Sequence, residues 1–175
     1  MYRSEYLRLL EEATADIEKG IEDFTAVLDR LRREKRRIWV LGNGGSLAVA
    51  QHFAQDLLKM RGMRAQCLND PSVITAYSND HRFDYAYFSP LSVLRDEKDA
   101  VLIFSCSGKS RNYIEFISQE TFPILAVVGT DGGFLLEKAD LAIHVKSDDY
   151  ALCETAFSMV ADLISYGLEE KCLKA

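Results

Sequence analysis

The chain has 175 residues, of which 48% are hydrophobic and 27% charged, and its formal net charge is −6. This composition is ordinary for a globular protein, the length suits one domain, and the acidic balance argues against nucleic acid as a partner. No stretch of about 18 uncharged apolar residues is present, so the sequence predicts neither a membrane-spanning helix nor a membrane partner.

The N-terminal residues carry charges and do not resemble a secretory signal. The four cysteines are scattered without a C-x-x-C pair, and they are Cys67, Cys106, Cys153 and Cys172. Without a secretory signal, scattered cysteines are typical of reduced thiols that pack as small apolar residues. We therefore expect a cytoplasmic protein.

Apolar residues recur at steps of three and four along residues 3–34, and this spacing predicts one long helix. A helix of this length before the first strand can bury only part of its apolar stripe on its own domain. We expect the rest to pack on another subunit, with an entirely intrachain contact as the alternative. The sequence thus predicts one domain, with an oligomerisation helix at residues 1–35 and an α/β core at residues 36–175.

Beyond this helix, short apolar runs alternate with helical patterns. The runs that predict strands lie at residues 37–41, 64–68, 100–105, 122–128 and 141–145. The helical patterns lie at residues 46–60, 71–77, 83–94 and 109–118, after a turn at 131–133, and at 150–170. Continuous apolar strands that alternate with helices indicate an α/β fold with a parallel sheet covered on both faces.

A glycine-rich turn, G-N-G-G-S, follows the first strand and leads directly into a helical pattern. Ligands of open α/β sheets bind at the carboxyl ends of the strands, glycines let the backbone approach them, and Ser46 can cap the helix. The turn therefore suits a phosphate or another anion, with a plain tight turn as the alternative. Leu47 stands where a dinucleotide fingerprint needs glycine, and no P-loop is present, so no nucleotide cofactor is expected.

A second polar turn, S-C-S-G-K-S, follows the strand at residues 100–105 and opens another helix. Ser105, Ser107 and Ser110 supply three hydroxyls beside a helix N-terminus, which is a suitable phosphate cradle. Helix capping alone is the simpler interpretation of one serine-rich turn. Two such turns at the ends of neighbouring strands favour a ligand site.

These motifs carry a resemblance to a known family. G-N-G-G-S-x-x-x-A-Q-H-F, S-N-D, S-x-S-G-x-S and G-x-D-G-G, in this order, resemble the sugar isomerase (SIS) domain family, and its phosphoheptose isomerase branch in particular. That branch interconverts sedoheptulose 7-phosphate and a heptose 7-phosphate. The resemblance covers nearly the whole chain. It implies a three-layer α/β sandwich with a five-stranded parallel sheet, and a homotetramer or dimer with sites at subunit interfaces.

The resemblance also implies a phosphorylated sugar as the ligand and a role for each matching residue. The three serines match phosphate-binding positions, the glycine turn matches a sugar-binding turn, and an aspartate in S-N-D matches a substrate contact. The substrate-binding residues implied in this way are Asn43, Gly44, Gly45, Ser46, Asp80, Ser105, Ser107 and Ser110.

Three functional positions of the branch are altered in this chain. In the branch, a glutamate on the helix after G-N-G-G-S and a histidine on the last helix resemble an acid–base pair, and here Asp56 and Ala161 stand at these positions. The branch holds zinc with the Q-H-F histidine, the same glutamate, a glutamine and the last-helix histidine. Cys153 stands for the glutamine, so the four-ligand set is incomplete. A three-ligand zinc site of His52, Asp56 and Cys153 remains, with a surface or interface His/Asp pair as the alternative.

Aldose–ketose isomerisation moves a proton between adjacent carbons through an enediol, which needs a base and an acid. The predicted catalytic residues are Asp56 as the base and Glu154 or His81 as the acid, and structural or solvated roles are the alternatives for the last two. The favoured function is a sugar-phosphate isomerase. Because the acid–base pair is altered, the alternative is a catalytically eroded SIS-domain protein that binds phosphosugars as a regulator or protein-interaction module.

Overall fold

A computed structural model of the chain describes residues 2–119 and 123–173. In this part of the chain, five parallel strands form one sheet in the order β2-β1-β3-β4-β5. The strands are β1 (Arg37–Gly42), β2 (Arg64–Cys67), β3 (Ala100–Ser105), β4 (Ile124–Val128) and β5 (Leu141–His144). The predicted parallel sheet is confirmed; residue 122, where the fourth strand was expected to start, lies outside the described residues.

Helices surround this sheet. Within the described residues they are α1 (Tyr2–Ala13), α2 (Glu18–Arg33), α3 (Gly45–Arg61), α4 (Pro71–Asp80), α5 (Phe88–Leu94), α6 (Arg111–Gln119), α7 (Gly133–Lys138) and α8 (Tyr150–Leu173). The helix predicted at 83–94 is split into a 3-10 turn, Phe83–Tyr85, and α5. Pro90 explains the break, because it lacks the amide that a continuous helix needs at that position and is tolerated only in a first turn.

The strand side chains alternate between two apolar clusters, as the pleat requires. Val40 and Leu102 lie in the cluster formed with α2, α3 and α8. Leu41 and Ile103 lie in the cluster formed with α5, α6 and α7. The predicted three-layer α/β sandwich is therefore confirmed.

The single long N-terminal helix predicted from the periodicity is wrong, because residues 14–17 separate α1 from α2. A continuous helix would bond the Ala13 carbonyl to the amide four residues later. Instead, the Lys146 amide, just after β5, donates to the Ala13 carbonyl at 2.9 Å, and the Lys146 ammonium pairs with Asp16. A distant segment thus takes the hydrogen bond that would have continued the helix.

Helices α2 and α8 pack against each other on one side of the sheet. Phe24 and Leu28 of α2 lie in the same buried cluster as Ile164 and Leu168 of α8. By length and composition, α8 is apolar enough to cross a membrane between Tyr150 and Leu168, but half of that stretch is buried inside the protein. Its apolar residues therefore have the packing of a core helix.

Candidate active site

Two turns meet at the carboxyl edge of the sheet. We call residues 42–46 the glycine turn and residues 105–110 the serine turn. They end the adjacent strands β1 and β3, in which Gly42 pairs with Phe104. Since β2 lies on one side of this pair and β4 on the other, the chain reverses its direction of winding here. Ligands of open α/β sheets bind in the crevice at such a switch point.

An open cavity lies between the two turns. Its lining residues are Asn43, Ser46, Phe104, Ser105, Cys106, Ser107, Ser110, Tyr113, Tyr150 and Glu154. Six of these carry side chains that the sequence analysis assigned to substrate binding or catalysis: Asn43, Ser46, Ser105, Ser107, Ser110 and Glu154. The fold thus brings together groups from three separate parts of the chain.

The glycine turn is shaped by close backbone contacts. A β carbon at Gly42 would lie 2.6 Å from the Leu47 amide nitrogen, so a side chain does not fit there. Gly44 has a φ of 56° and is the N-cap of α3. The predicted capping role of Ser46 is wrong, because the helix begins one residue earlier and no side chain caps it. The Ser46 hydroxyl instead points to the Glu154 carboxylate, at 3.4 Å from Oε1.

Glu154 lies directly against the glycine turn. A β carbon at Gly45 would be 2.5 Å from Glu154 Oε1 and still closer to Oε2. The glycine therefore makes room for a carboxylate at the start of α3, where the helix dipole favours negative charge. This contact places a carboxylate in the cavity.

Backbone amides position two of the hydroxyls of the serine turn. The Gly108 amide donates to Ser105 Oγ at 3.1 Å, and the Lys109 amide donates to Ser107 Oγ at 3.2 Å. Because these hydroxyls accept from the backbone, each still has its own proton to donate. Helix α6 begins directly after Ser110, so the positive end of its dipole lies at the same place. The serine turn therefore suits an anion such as phosphate.

The turn after β4, residues 129–133, supports the serine turn from behind. A β carbon at Gly108 would lie 2.6 Å from the Gly132 carbonyl carbon and closer still to its oxygen. The Leu135 amide donates to the Gly108 carbonyl at 3.2 Å, and Lys109 pairs with Asp131 at 2.6 Å. The G-x-D-G-G motif, which the sequence analysis tied only to the family resemblance, thus holds the serine turn in place.

Asn43 is held by two residues that the sequence analysis missed. Its side-chain amide exchanges two hydrogen bonds of 3.1 Å with Asn112. The Tyr87 hydroxyl donates to Asn43 Oδ1 at 3.3 Å and to the Gly42 carbonyl. Asn112 closely follows the serine motif in sequence, so its place could have been noticed. Tyr87 lies 44 residues from Asn43, and no local pattern signals its role.

Two buried cysteines lie close together near the cavity, and Cys106 is one of its lining residues. Cys106 Sγ is 3.8 Å from Ser46 Oγ, and the Cys153 thiol donates to the Ser147 carbonyl at 3.2 Å. A hydrogen bond from Cys106 lowers the pKa of the Cys153 thiol. The same hydrogen bond, together with burial, raises the pKa of the Cys106 thiol. The Cys153 thiol is therefore already engaged in hydrogen bonds within the protein.

The predicted zinc ligands do not come together. His52 Nε2 and Asp56 Oδ2 are 3.5 Å apart, in a separate cavity that Ala161 and Asp162 also line. Cys153 is fully buried elsewhere. Between residues 2 and 119 and between 123 and 173, no group of three or more His, Cys, Asp or Glu side chains is placed to hold a metal ion. The predicted set is thus corrected to a pair, since the i, i+4 spacing on α3 joins only two of its members. The predicted three-ligand set therefore does not form a zinc site within the described residues of one chain.

The remaining predicted residues also lie apart from the cavity between the turns. Asp56 follows Ser46 by ten residues on α3, which corresponds to about 15 Å along the helix axis. Asp80 and His81 lie at the end of α4 and line another cavity with Tyr77. Of the three residues predicted to be catalytic, Glu154 is the one that lines the cavity between the glycine and serine turns.

Comparison with known proteins shows the family to which this chain belongs. Residues 1–123, more than half of the chain, match the family model described as SIS domain. The chain belongs to the SIS domain family. Among its SIS-domain relatives, a phosphoheptose isomerase from Geobacter metallireducens is 32% identical over 173 residues, which cover 91% of this chain and 92% of the relative. A phosphoheptose isomerase from Geobacter sulfurreducens is 33% identical over 170 residues, with 90% of each chain covered.

A solved SIS-domain structure has the same fold. The phosphoheptose isomerase GmhA from Neisseria gonorrhoeae superposes with a TM-score of 0.90 and 25% identity, over 97% of this chain and 95% of that one. The predicted resemblance is therefore confirmed, and this SIS-domain chain falls in the phosphoheptose isomerase branch.

Proposed function

We propose that this SIS-domain protein is a sugar-phosphate isomerase that interconverts an aldose and a ketose through an enediol, with sedoheptulose 7-phosphate as the ketose. The relatives named phosphoheptose isomerase support the reaction and the sugar. The observation that carries the proposal is the cavity in which the Glu154 carboxylate, the glycine turn and the serine turn face one another.

In this proposal, the serine turn binds the phosphate. Ser105, Ser107 and Ser110 donate their hydroxyl protons to phosphate oxygens, and the N-terminus of α6 adds its positive potential. Ser46 and Asn43, on the other side of the crevice, contact sugar hydroxyls. The ligand thus lies across the switch point between β1 and β3.

Glu154 is the acid–base group that we favour. Its carboxylate would take the proton from the hydroxyl-bearing carbon next to the carbonyl, which gives the enediolate. The hydroxyl proton would then pass to the former carbonyl oxygen, and Glu154 would return its proton to the former carbonyl carbon. Asp56, the base predicted from the sequence, lines the other cavity beside His52. It would act as the base if the sugar extended along α3 into that cavity. Glu154 is preferred because it lines the same cavity as the serine hydroxyls.

We also propose that the protein works in the cytoplasm as a homotetramer or dimer. The free thiols Cys67, Cys106 and Cys153 support a reducing environment. The exposed apolar side chains of α1 support assembly: Tyr2 is 87% exposed, Leu7 50% and Leu9 41%. Such side chains on one short helix are typical of a surface that another subunit covers.

Proton NMR in deuterated water tests the catalytic proposal. With sedoheptulose 7-phosphate, the wild-type protein is expected to introduce deuterium at C1 or C2 of the sugar. Glu154→Gln should slow this exchange about 100- to 10,000-fold, because the proton-transferring group is lost. Asp162→Asn is the matched control, since it neutralises a carboxylate on the same helix that lines the other cavity.

Two outcomes would contradict the proposal. If Glu154→Gln exchanges like the wild type while Asp56→Asn does not, Asp56 is the base. If the wild-type protein binds the sugar phosphate but introduces no deuterium, the protein is a phosphosugar-binding regulator and not an isomerase of this sugar.

A further inference from the structure

Tyr113, on the first turn of α6, carries a buried hydroxyl with an unmet hydrogen bond. The residue is 0% exposed, and its hydroxyl has no hydrogen-bond partner among the described residues. Most buried side-chain polar groups in proteins do have a partner, and an exception calls for an explanation. One explanation is that this hydroxyl forms its hydrogen bond with a bound ligand.

The position of Tyr113 favours this explanation. The residue forms part of the wall of the cavity between the glycine and serine turns, beside Ser105 and Ser110. Its ring lies in the apolar cluster of the second sheet face and stacks parallel to the Tyr87 ring, with centroids 5.8 Å apart. Since the ring atoms are packed against apolar neighbours, the hydroxyl is the group that can meet a polar ligand.

The stacked neighbour Tyr87 provides a direct contrast. Both tyrosines are buried, but the Tyr87 hydroxyl bonds to the Gly42 carbonyl and to Asn43. The Tyr87 hydroxyl therefore stabilises the glycine turn. The Tyr113 hydroxyl has no such partner among the described residues, and Tyr113 lines the same crevice.

The chemistry of the hydroxyl defines what it would bind. Burial raises the pKa of Tyr113 well above its usual range, so the group keeps its proton and acts as a donor at neutral pH. An oxygen that accepts a hydrogen bond is the matching partner. Phosphate oxygens and sugar oxygens both meet this requirement.

We propose that Tyr113 is a ligand-contacting residue whose hydroxyl donates a hydrogen bond to an oxygen of the bound sugar phosphate. This inference rests on the proposed function, which supplies the phosphorylated sugar. It adds to the serine and glycine turns a contact that reaches the ligand from the second face of the sheet. A ligand that lacks this oxygen would leave the hydroxyl unmet and would bind less well.

Tyr113→Phe tests the inference, because phenylalanine keeps the ring packing and removes only the hydroxyl. Calorimetric titration with sedoheptulose 7-phosphate should show affinity about 10- to 100-fold below the wild type, as for loss of a hydrogen bond to a charged or polar ligand. Urea unfolding without ligand should show a stability equal to or above the wild type, because an unsatisfied buried group has been removed.

Tyr87→Phe is the matched control. This variant also loses one buried hydroxyl from the same ring stack, but that hydroxyl has protein partners, so the unliganded protein should become less stable. A purely structural role for Tyr113 predicts the same loss for Tyr113→Phe, and that result would overturn the inference. Unchanged affinity of Tyr113→Phe for the sugar phosphate would overturn it as well.

Titration with inorganic phosphate locates the contact. An equal loss for phosphate and for the sugar phosphate places the accepting oxygen on the phosphate, and a loss for the sugar phosphate alone places it on the sugar; both support the inference. Wild-type binding of the sugar phosphate without deuterium exchange would refute the isomerase proposal and leave Tyr113 as a ligand contact. A wild-type protein that binds neither compound would overturn both proposals.

Discussion

Gly45 positions a carboxylate by having no side chain of its own. Glu154 lies so close to the Gly45 backbone that a β carbon there would be 2.5 Å from Oε1 and nearer to Oε2. The clashing atoms are at the far end of a flexible side chain, so Glu154 can move aside at little cost. An added methyl group at this position therefore shifts the carboxylate without disturbing the fold.

Gly45→Ala is expected to slow isomerisation about 100-fold, because a displacement of about 1 Å at a reacting group can cost that much. The variant should keep nearly the wild-type stability, since alanine is a better helix former than glycine. Isotope exchange into sedoheptulose 7-phosphate measures the first effect, and urea unfolding measures the second.

A double-mutant cycle provides the control for Gly45→Ala. If the substitution acts through Glu154, it should have no further effect on the rate in a Glu154→Ala background. An equal loss of rate in both backgrounds would mean that the methyl group interferes with the sugar itself.

At the level of elements, the serine turn depends on the turn at residues 129–133. Gly108 has a φ of 62°, and a β carbon there would collide with the Gly132 backbone. Gly62, at the end of α3, has nearly the same φ of 63° but open space around it. The two glycines therefore separate the cost of backbone conformation from the cost of a collision.

Gly62→Ala should lower the free energy of unfolding by about 1–2 kcal/mol, the usual cost of a left-handed conformation for an alanine. Gly108→Ala should lower the free energy of unfolding by about 1–3 kcal/mol more than Gly62→Ala does, because the collision forces the two turns apart. It should also weaken the binding of inorganic phosphate, whereas Gly62→Ala should not. Urea unfolding and calorimetric titration measure these effects, and equal losses for both variants would show that the turns do not depend on each other.

Local patterns predicted most of these elements, and distant contacts account for what they missed. Each strand and both polar turns carry their signal within a few residues, so the sheet and the five cavity side chains of the two turns could be read from the sequence. Glu154, the sixth, was predicted from the family resemblance. The break between α1 and α2 depends on Lys146, and the support of Asn43 depends on Tyr87. Cys153 was matched to a ligand position by its place along the chain, but its thiol bonds to Ser147 instead.

For the whole molecule, the exposed apolar residues of α1 are the surface on which we expect assembly. Leu7→Glu is expected to convert the wild-type oligomer to smaller species, because it places a charge on a surface that another subunit would cover. Leu94→Glu is the matched control, since Leu94 is 48% exposed, close to the 50% of Leu7, but lies on α5 at the other face of the sheet. Light scattering after gel filtration gives the masses; a Leu7→Glu variant as large as the wild type would exclude α1 from the interface.

The packing of α2 on α8 has a consequence for how the chain is made. Leu28 leaves the ribosome about 140 residues before Leu168, its companion in the buried cluster. At about 5–20 residues per second, the interval is about 7–28 s. During this time the apolar stripe of α2 is synthesised but has no α8 to cover it. Helix α8 therefore completes the core that α2 began, and a nascent chain that stops short of α8 leaves that stripe open to chaperones or to other chains.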